Sequence, residues 1–466
     1  MLVDLQIWKK HAANSRSNNI STLTNLGGCM KIGPSSSVDL SRFAKKASEL
    51  EVLYGMPRYV KFCKICNMSN QQPMSSNEYS HSKDSKKTTL SFDEDGVCHA
   101  CRFNFLKETG EIDWNERERE LIELCKQFRR DDGSYDCIVG GSGGKDSAMQ
   151  SHLLKYKYGM HPLTVTWSPH LYTDIGWKNF QQWLHVGGFD NFLYTPNGKI
   201  HRLLTRNATI NLLHPFQPFI LGQKTFVAKM AAQLNIPLIF YGEMPGEYGE
   251  KISHEISSYA VGSEDGEGEG FSLDYIGGRD VRDVFLGGKQ IGEYLDEGVE
   301  MADLKSYLPM DPEVLTRKGI DFKYLGYYKR WVPQEAYYYA VVNTGFEANP
   351  VRTEGTYSKY NSLDDKVDGF FYFTRWIKFG VGRAMMDSAQ EIRNRHIDKH
   401  EAIALMKRYE GEYPARYEKE FLEYISLSRD EFLALCDRFR SPHLWHVVDG
   451  EWKLRHSPWG EVGKAA

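Results

Sequence analysis

An apolar run, 135–139, enters four glycines and two serines and opens directly into a helical pattern: Tyr135-Asp-Cys-Ile-Val-Gly-Gly-Ser-Gly-Gly-Lys-Asp-Ser147. Glycines let the backbone approach a ligand closely, successive N–H groups turn inward, and a helix start adds positive potential. The segment is therefore a phosphate cradle on a strand-to-helix turn; the bland reading is an ordinary glycine-rich β-α connection. It is not a Walker A loop, because the spacing from Gly140 or Gly141 to Gly144-Lys145 is too short and Lys145 is followed by Asp146 rather than Ser or Thr. The flanks alternate as such a turn demands, with helix 146–158, strand 162–167, helix 174–186, strand 189–194, helix 222–234 and strand 236–241. This alternation predicts an α/β fold, a parallel sheet with helices on both faces and ligands at the carboxyl ends of the strands. Gly242-Glu243, closing strand 236–241, opens onto the same edge of the sheet as the cradle, although a loop carboxylate is the plain alternative for Glu243.

The rest of the chain is read around that core. Residues 1–53, rich in Ser, Asn and Lys, predict a poorly ordered extension, and 54–112 carries the cysteines. The core occupies 113–260, entered by an amphipathic helix at 114–128. A stretch at 261–323, with a Gly- and Glu-rich loop at 263–270, reads as an insertion. The part 324–466 is aromatic-rich and mostly helical, with clear helices at 397–409 and 429–439.

Four of the eight cysteines form two C-x-x-C pairs, Cys63-Lys-Ile-Cys66 and Cys98-His-Ala-Cys101, with 31 residues between them. Each pair presents two sulfurs, and four thiolates close a tetrahedral zinc shell. The alternative is a redox pair, which needs only one of the two motifs. His99 lies inside the second knuckle and is expected to face away.

Lys and Arg number 58 against 62 Asp and Glu, so a net charge of -4 offers no general reason to hold a polyanion, and nucleic acid is not the expected partner. No apolar run approaches the roughly 18 to 20 residues that cross a bilayer, and 1–19 lacks the apolar stretch of a secretion signal. A cytoplasmic location without a membrane partner is the expectation.

Ser142-Gly143-Gly144-Lys145-Asp146-Ser147 resembles the S-G-G-x-D-S signature of the PP-loop (N-type ATP pyrophosphatase) superfamily, the adenine nucleotide alpha hydrolase-like fold. Members of that superfamily cleave ATP between the α- and β-phosphates. The resemblance implies ATP as cofactor, held at Gly141, Ser142, Gly143, Gly144, Lys145, Asp146 and Ser147, with Asp146, Ser147 and Lys145 nearest the chemistry and Asp146 meeting phosphate through Mg²⁺. It also implies that backbone groups of the second strand end, at Val165, Thr166 and Trp167, take the adenine, with Gly242 and Glu243 completing the site. For Trp167 a core role is an equal alternative.

The combination is narrower. Tyr54-Gly-Met-Pro-Arg58, Phe62-Cys-Lys-Ile-Cys66, Phe92-Asp-Glu-Asp-Gly-Val-Cys98, the Ser142 loop, Phe373-Thr-Arg-Trp-Ile-Lys-Phe-Gly380 and Trp452-Lys-Leu-Arg-His-Ser-Pro458 together resemble the N-acetyl sugar amidotransferase family of bacterial surface-glycan biosynthesis, in O-antigen and in pseudaminic or legionaminic acid pathways. The resemblance covers about 54–459. It implies transfer of AMP to the acetamido oxygen of a nucleotide-linked sugar, and displacement of AMP by ammonia to give an acetamidino group. Sugar-site candidates are His214, Gln217, Lys224, Tyr357, Lys359, Arg375, Lys378 and Arg383, of which Lys224, at a helix start, and the Arg375, Lys378 and Arg383 group could meet phosphates of a nucleotide-linked sugar or of ATP. A glutaminase within the chain is not expected: the nearest nucleophile-elbow match, Gly27-Gly-Cys-Met-Lys31, lacks its second glycine, and the chain starts Met1-Leu2 rather than with cysteine. A separate glutaminase subunit is thus the expected ammonia source. The alternative is a PP-loop tRNA-thiolating enzyme, disfavoured because Cys29, Cys125, Cys137 and Cys436 lie in the extension, in helices or in a strand rather than beside the cradle.

Overall fold

Cys137, Ile138 and Val139 are shut off from solvent completely, which a strand achieves only in the middle of a sheet covered on both faces. The computed structural model describes residues 31–74, 78–81, 87–249, 276 and 278–460. In it Cys137–Gly140 (β1) is the central strand of a five-stranded sheet with Pro162–Trp167 (β2), Asn191–Tyr194 (β3), Leu238–Tyr241 (β4) and Asp321–Tyr324 (β5) in the order β3-β2-β1-β4-β5. Every pairing is parallel, with Cys137 opposite Pro162, Ile138 opposite Ile239, Thr164 opposite Asn191 and Leu238 opposite Asp321. Parallel neighbours need crossover helices, which is why strands and helices alternate.

The order of the strands matters more than their number. From β1 the chain winds outward to β2 and β3, then returns to the other side of β1 for β4, so the winding reverses between β1 and β4. Loops leaving two strands on either side of such a reversal part from one another and leave a crevice at the carboxyl end of the sheet. The cradle leaves β1 and Gly242-Glu243 leaves β4.

Helix Gln217–Leu234 packs on β1, β2 and β4, and on the opposite side helix Lys145–His152 is covered by helix Pro333–Thr344. Gly222 on the first of these helices makes room for the indole of Trp167: a Cβ there would lie 2.2 Å from ring carbon Cζ2. Gly222→Ala is therefore expected to destabilise the fold by about 1–3 kcal/mol through overpacking, read as a lower midpoint in chemical denaturation with an unchanged m-value.

Three sequence expectations change here. The sheet does not end at 236–241: Asp321–Tyr324 adds a fifth strand beside β4, so the expected boundary at 323/324 falls inside an element of the core. Helix Gly198–Leu212, capped by the Asn197 side chain, fills a stretch to which no element is assigned from sequence. Within the expected 1–53 extension, residues 31–53 are described and packed: Phe43 meets the Trp452 ring at 4.7 Å, and Leu53 N–H donates to Ser441 Oγ at 3.0 Å. Phe43, with Val38 beside it, packs this segment against the chain's own C-terminal hairpin, Trp445–Val448 with Glu451–Leu454, and Leu50 is buried as well. Residues 1–30, the 260/261 boundary and the 263–270 loop lie outside the described residues. Among the described residues no helix is long and apolar enough to cross a membrane.

Candidate active site

Cradle geometry follows from its glycines. Gly143 has φ +83°, and a Cβ there would lie 2.8 Å from the Phe180 backbone; at Gly141 a Cβ would lie 2.2 Å from that of Ser147. Only glycine fits either place. Gly144 caps helix Lys145–His152, Ser147 Oγ donates to the Gly144 carbonyl at 3.1 Å, and Gly141 N–H is engaged by the Val165 carbonyl at 3.0 Å. Gly141 therefore anchors the loop to β2.

Two cavities meet at this loop, one of about 470 Å³ and one of about 310 Å³. Ser142, Gly144, Asp146, Gln223, Glu243 and Tyr248 face both. The larger also takes in Gly141, Ser147 and Gly242, and its far wall carries Lys224 and Arg375. The smaller also takes in Gly143 and Lys145 and is walled by Asn361, Asp364, Asp368, Tyr372 and Arg383. Each chamber thus carries two cations, and the smaller adds carboxylates and aromatic rings that the larger lacks.

Val165, Thr166 and Trp167 face neither cavity. They end β2, one strand away from the crevice on the side where the winding does not reverse. Trp167 is a core residue, 3% exposed, with the Tyr194 and Tyr307 rings at 4.9 and 5.3 Å, and Thr166 Oγ1 accepts from Asn191 Nδ2 at 3.0 Å. Of the sugar-site candidates, Lys224, Arg375 and Arg383 reach the chambers. Gln217 holds Gly287 N–H at 3.1 Å, Lys378 bonds Glu78 at 2.6 Å and the Leu212 carbonyl at 2.7 Å, His214 stacks on Phe371 at 5.2 Å, Lys359 is exposed, and Tyr357 lines neither chamber. Asp364, Asp365 and Asp368 are site residues without a sequence assignment; their signal is the run Asn361-Ser-Leu-Asp-Asp-Lys-Val-Asp368 directly before an aromatic helix.

Electrostatics in the crevice favour added positive charge. Burial, and then the Asp146 charge, lift the Glu243 carboxyl above its usual range, while the Tyr248 hydroxyl donating at 2.6 Å opposes the lift. Burial with Asp364 and Asp365 nearby lifts Asp368 strongly, and burial lifts Asp364 against a hydrogen bond from Ser142. Asp146 pairs through Oδ2 with Lys145, leaving Oδ1 buried with no partner among the described residues. Hard carboxylate oxygens of Asp146 and Glu243, one orphaned and one strained by its neighbour, are a donor set that suits Mg²⁺.

The cysteines converge as one buried cluster, their four sulfurs within 4.8 Å of one another. Cys63 and Cys101 sulfurs are 3.8 Å apart and those of Cys66 and Cys98 3.6 Å. A tetrahedral zinc with bonds of about 2.3 Å sets neighbouring sulfurs about 3.8 Å apart, so the cluster can hold one zinc ion. The His99 ring instead meets Ser91 Oγ at 3.2 Å. The cluster packs on Met385, Ala389, Ala402 and Met406 of the C-terminal helices and on Val381 just before them. It is also tied to the site: Phe103 and Lys107, on the helix that begins at the second knuckle, brace the Pro245–Tyr248 turn, Lys107 Nζ reaching Glu247 Oε1 at 2.5 Å.

Over residues 354–457 the sequence matches the family described as LPS biosynthesis protein WbpG-like, C-terminal domain. A stretch of 85 residues is 31% identical to an uncharacterized protein of Methanocaldococcus jannaschii, covering 18% of this chain and 29% of that one. Among solved structures the chain is similar to NMN synthetase from Francisella tularensis, at 13% identity and TM-score 0.22 over 28% of this chain and 55% of that chain. It is similar also to NH3-dependent NAD synthetase from Campylobacter jejuni, at 14% identity and TM-score 0.23 over 44% and 92%. The chain thus spans less than a third of the curated relative's length and about half of the first synthetase's. Asp364, Asp368, Tyr372, Arg375 and Arg383, which wall the two chambers, all fall within the WbpG-like segment.

Proposed function

We propose, from the premise that a chain joining a PP-loop sheet to a WbpG-like C-terminal domain belongs to the N-acetyl sugar amidotransferases recognised in its motifs, that this protein is an ATP-dependent enzyme of surface-glycan biosynthesis that converts an acetamido group into an acetamidino group. The observation that carries the reading is the shared lining: the phosphate loop and the glycan-related segment face each other across the same two chambers.

An acetamido carbonyl is a poor electrophile because its oxygen leaves badly. In the proposed reaction that oxygen attacks the α-phosphorus of ATP, the bond between Pα and the bridging oxygen breaks, and pyrophosphate departs. Ammonia then adds to the activated carbon, AMP leaves with the former amide oxygen, and a proton is released. The sugar suits the smaller chamber, where Asn361, Asp364 and Asp368 can accept from hydroxyls and Tyr372 offers an aromatic face. The triphosphate suits the cradle, with the Ser142 hydroxyl and the loop backbone orienting it and Asp146 and Glu243 holding Mg²⁺. When bound, Mg²⁺ supplies charge neutralisation on the phosphate oxygens.

Mass spectrometry of N-acetylated nucleotide sugars incubated with the protein, ATP, Mg²⁺ and ammonium tests the reading. Exchange of oxygen for NH lowers the product mass by about one unit; ATP turnover with no such product from any N-acetylated sugar overturns it. Sulfur transfer to tRNA is the alternative reading, and Cys125, Cys137 and Cys436 are buried away from both chambers. Nitrogen source gives a further prediction. The isolated chain is expected to use ammonium and not glutamine, with a separate glutaminase delivering ammonia. Turnover with glutamine alone that matches turnover with ammonium would overturn the two-subunit reading.

A further inference from the structure

Arg375 stands on helix Asp368–Phe379, only 9% exposed, on the wall of the larger chamber that Gly140, Gly141 and Ser147 also line. Its Nε and Nη2 are closed off from water and have no hydrogen-bond partner among the described residues. Nearby carboxylates are occupied. Glu78 is shared by Lys378 at 2.6 Å, Lys87 at 3.2 Å and His81 at 3.1 Å, and Glu410 accepts from the Gly382 and Met385 N–H groups. Burial draws the guanidinium down to about 10, so it is a cation at neutral pH. Glu78 and Glu410 act on it only at a distance and neither bonds its Nε or Nη2; a buried cation with unused donors is unfavourable, and the fork of a guanidinium matches the paired oxygens of a phosphate. Lys224, also buried, lines the same chamber.

We propose that Arg375 is a phosphate-binding residue which, with Lys224, receives a diphosphate group in the chamber that the glycine loop also lines. The inference rests on the proposed reaction, which brings two such groups to the site: the pyrophosphate that leaves ATP, and the diphosphate of a nucleotide-linked sugar. In the first case Arg375 neutralises charge as the Pα–O bond breaks; in the second it grips the carrier while the acetamido group reaches the α-phosphorus.

The test is calorimetric titration of the full chain and of Arg375→Gln with magnesium pyrophosphate and, separately, with UDP, alongside the thermal midpoint without ligand. Arg375→Gln is expected to bind at least one probe roughly 10- to 100-fold more weakly, while its ligand-free midpoint stays level or rises because an uncompensated buried charge is gone. Loss confined to pyrophosphate assigns the residue to ATP, and loss confined to UDP assigns it to the sugar carrier. Wild-type affinity for both probes in the variant overturns the inference and leaves the proposed function standing. Wild-type protein that binds neither probe overturns the phosphate reading of the loop, and this inference with it. If Arg375→Gln does not fold, Arg375→Lys, which keeps the charge and loses the fork, carries the same comparison.

Discussion

Replacing Asp146 by Asn is expected to lower pyrophosphate–ATP exchange by roughly 100- to 1,000-fold, the range seen when one preorganised electrostatic contact to a reacting group is removed. Asp146 opens the helix after the cradle, faces both chambers, and holds one carboxylate oxygen buried without a partner. Asn keeps its size and loses the charge that would gather Mg²⁺. The same change leaves Lys145 without its carboxylate, a pair that is partly open to solvent, so the thermal midpoint should move by only a few degrees. Exchange at near the wild-type rate in Asp146→Asn, measured at saturating ATP and Mg²⁺, would show that the phosphates are held elsewhere.

Loss of the cysteine cluster should act on folding before chemistry. Structural zinc sites contribute roughly 10–16 kcal/mol of apparent binding energy in small peptides, against a total stability of about 5–15 kcal/mol for a domain. Cys63→Ser or Cys98→Ser opens a shell whose sulfurs are all buried and whose neighbours are apolar, leaving charge or hydroxyl uncompensated in a core. Each variant is expected to be largely insoluble or to melt at least 10 °C lower, by a rough conversion of several kcal/mol into midpoint shift. The native protein should carry about one zinc per chain, and stoichiometric zinc in a variant with all four cysteines changed to serine would sink the assignment.

Residues that act through local chemistry were legible in the sequence, and those that act through topology only in part. Gly140 to Ser147 announces a cradle because close backbone approach and a helix start need glycine and small polar residues at fixed spacing. Paired cysteines announce themselves for the same reason, through a knuckle whose geometry is set within four residues. Whether a strand end joins the site depends instead on strand order: Gly242 and Glu243 line both or one of the chambers because β4 lies across the reversal from β1, whereas Val165 to Trp167 end β2 on the other side. The fifth strand, Asp-Phe-Lys-Tyr, carries too short an alternation to stand out, and its place is decided by pairing with β4. Sequence sets Arg375 among four cations that could meet phosphate but does not choose it over Lys378, since an unpaired guanidinium is a property of its surroundings and not of its neighbours in sequence.

The packing of the cysteine cluster on Val381 to Met406 also has a consequence for how the chain is made. The thiols leave the ribosome early, yet the helices that bury them are encoded about 280 residues later, a delay on the order of 15 to 60 s at ordinary elongation rates. Through that interval the two knuckles have only their own Met68, Leu90, Val97 and Ala100 for apolar shelter, and thiols so thinly covered are open to oxidation and mispairing. Metal capture can close the 63–101 segment as soon as it emerges, because all four ligands lie within it. Zinc would then serve the nascent chain as a guard during translation, before it serves the finished fold as a brace.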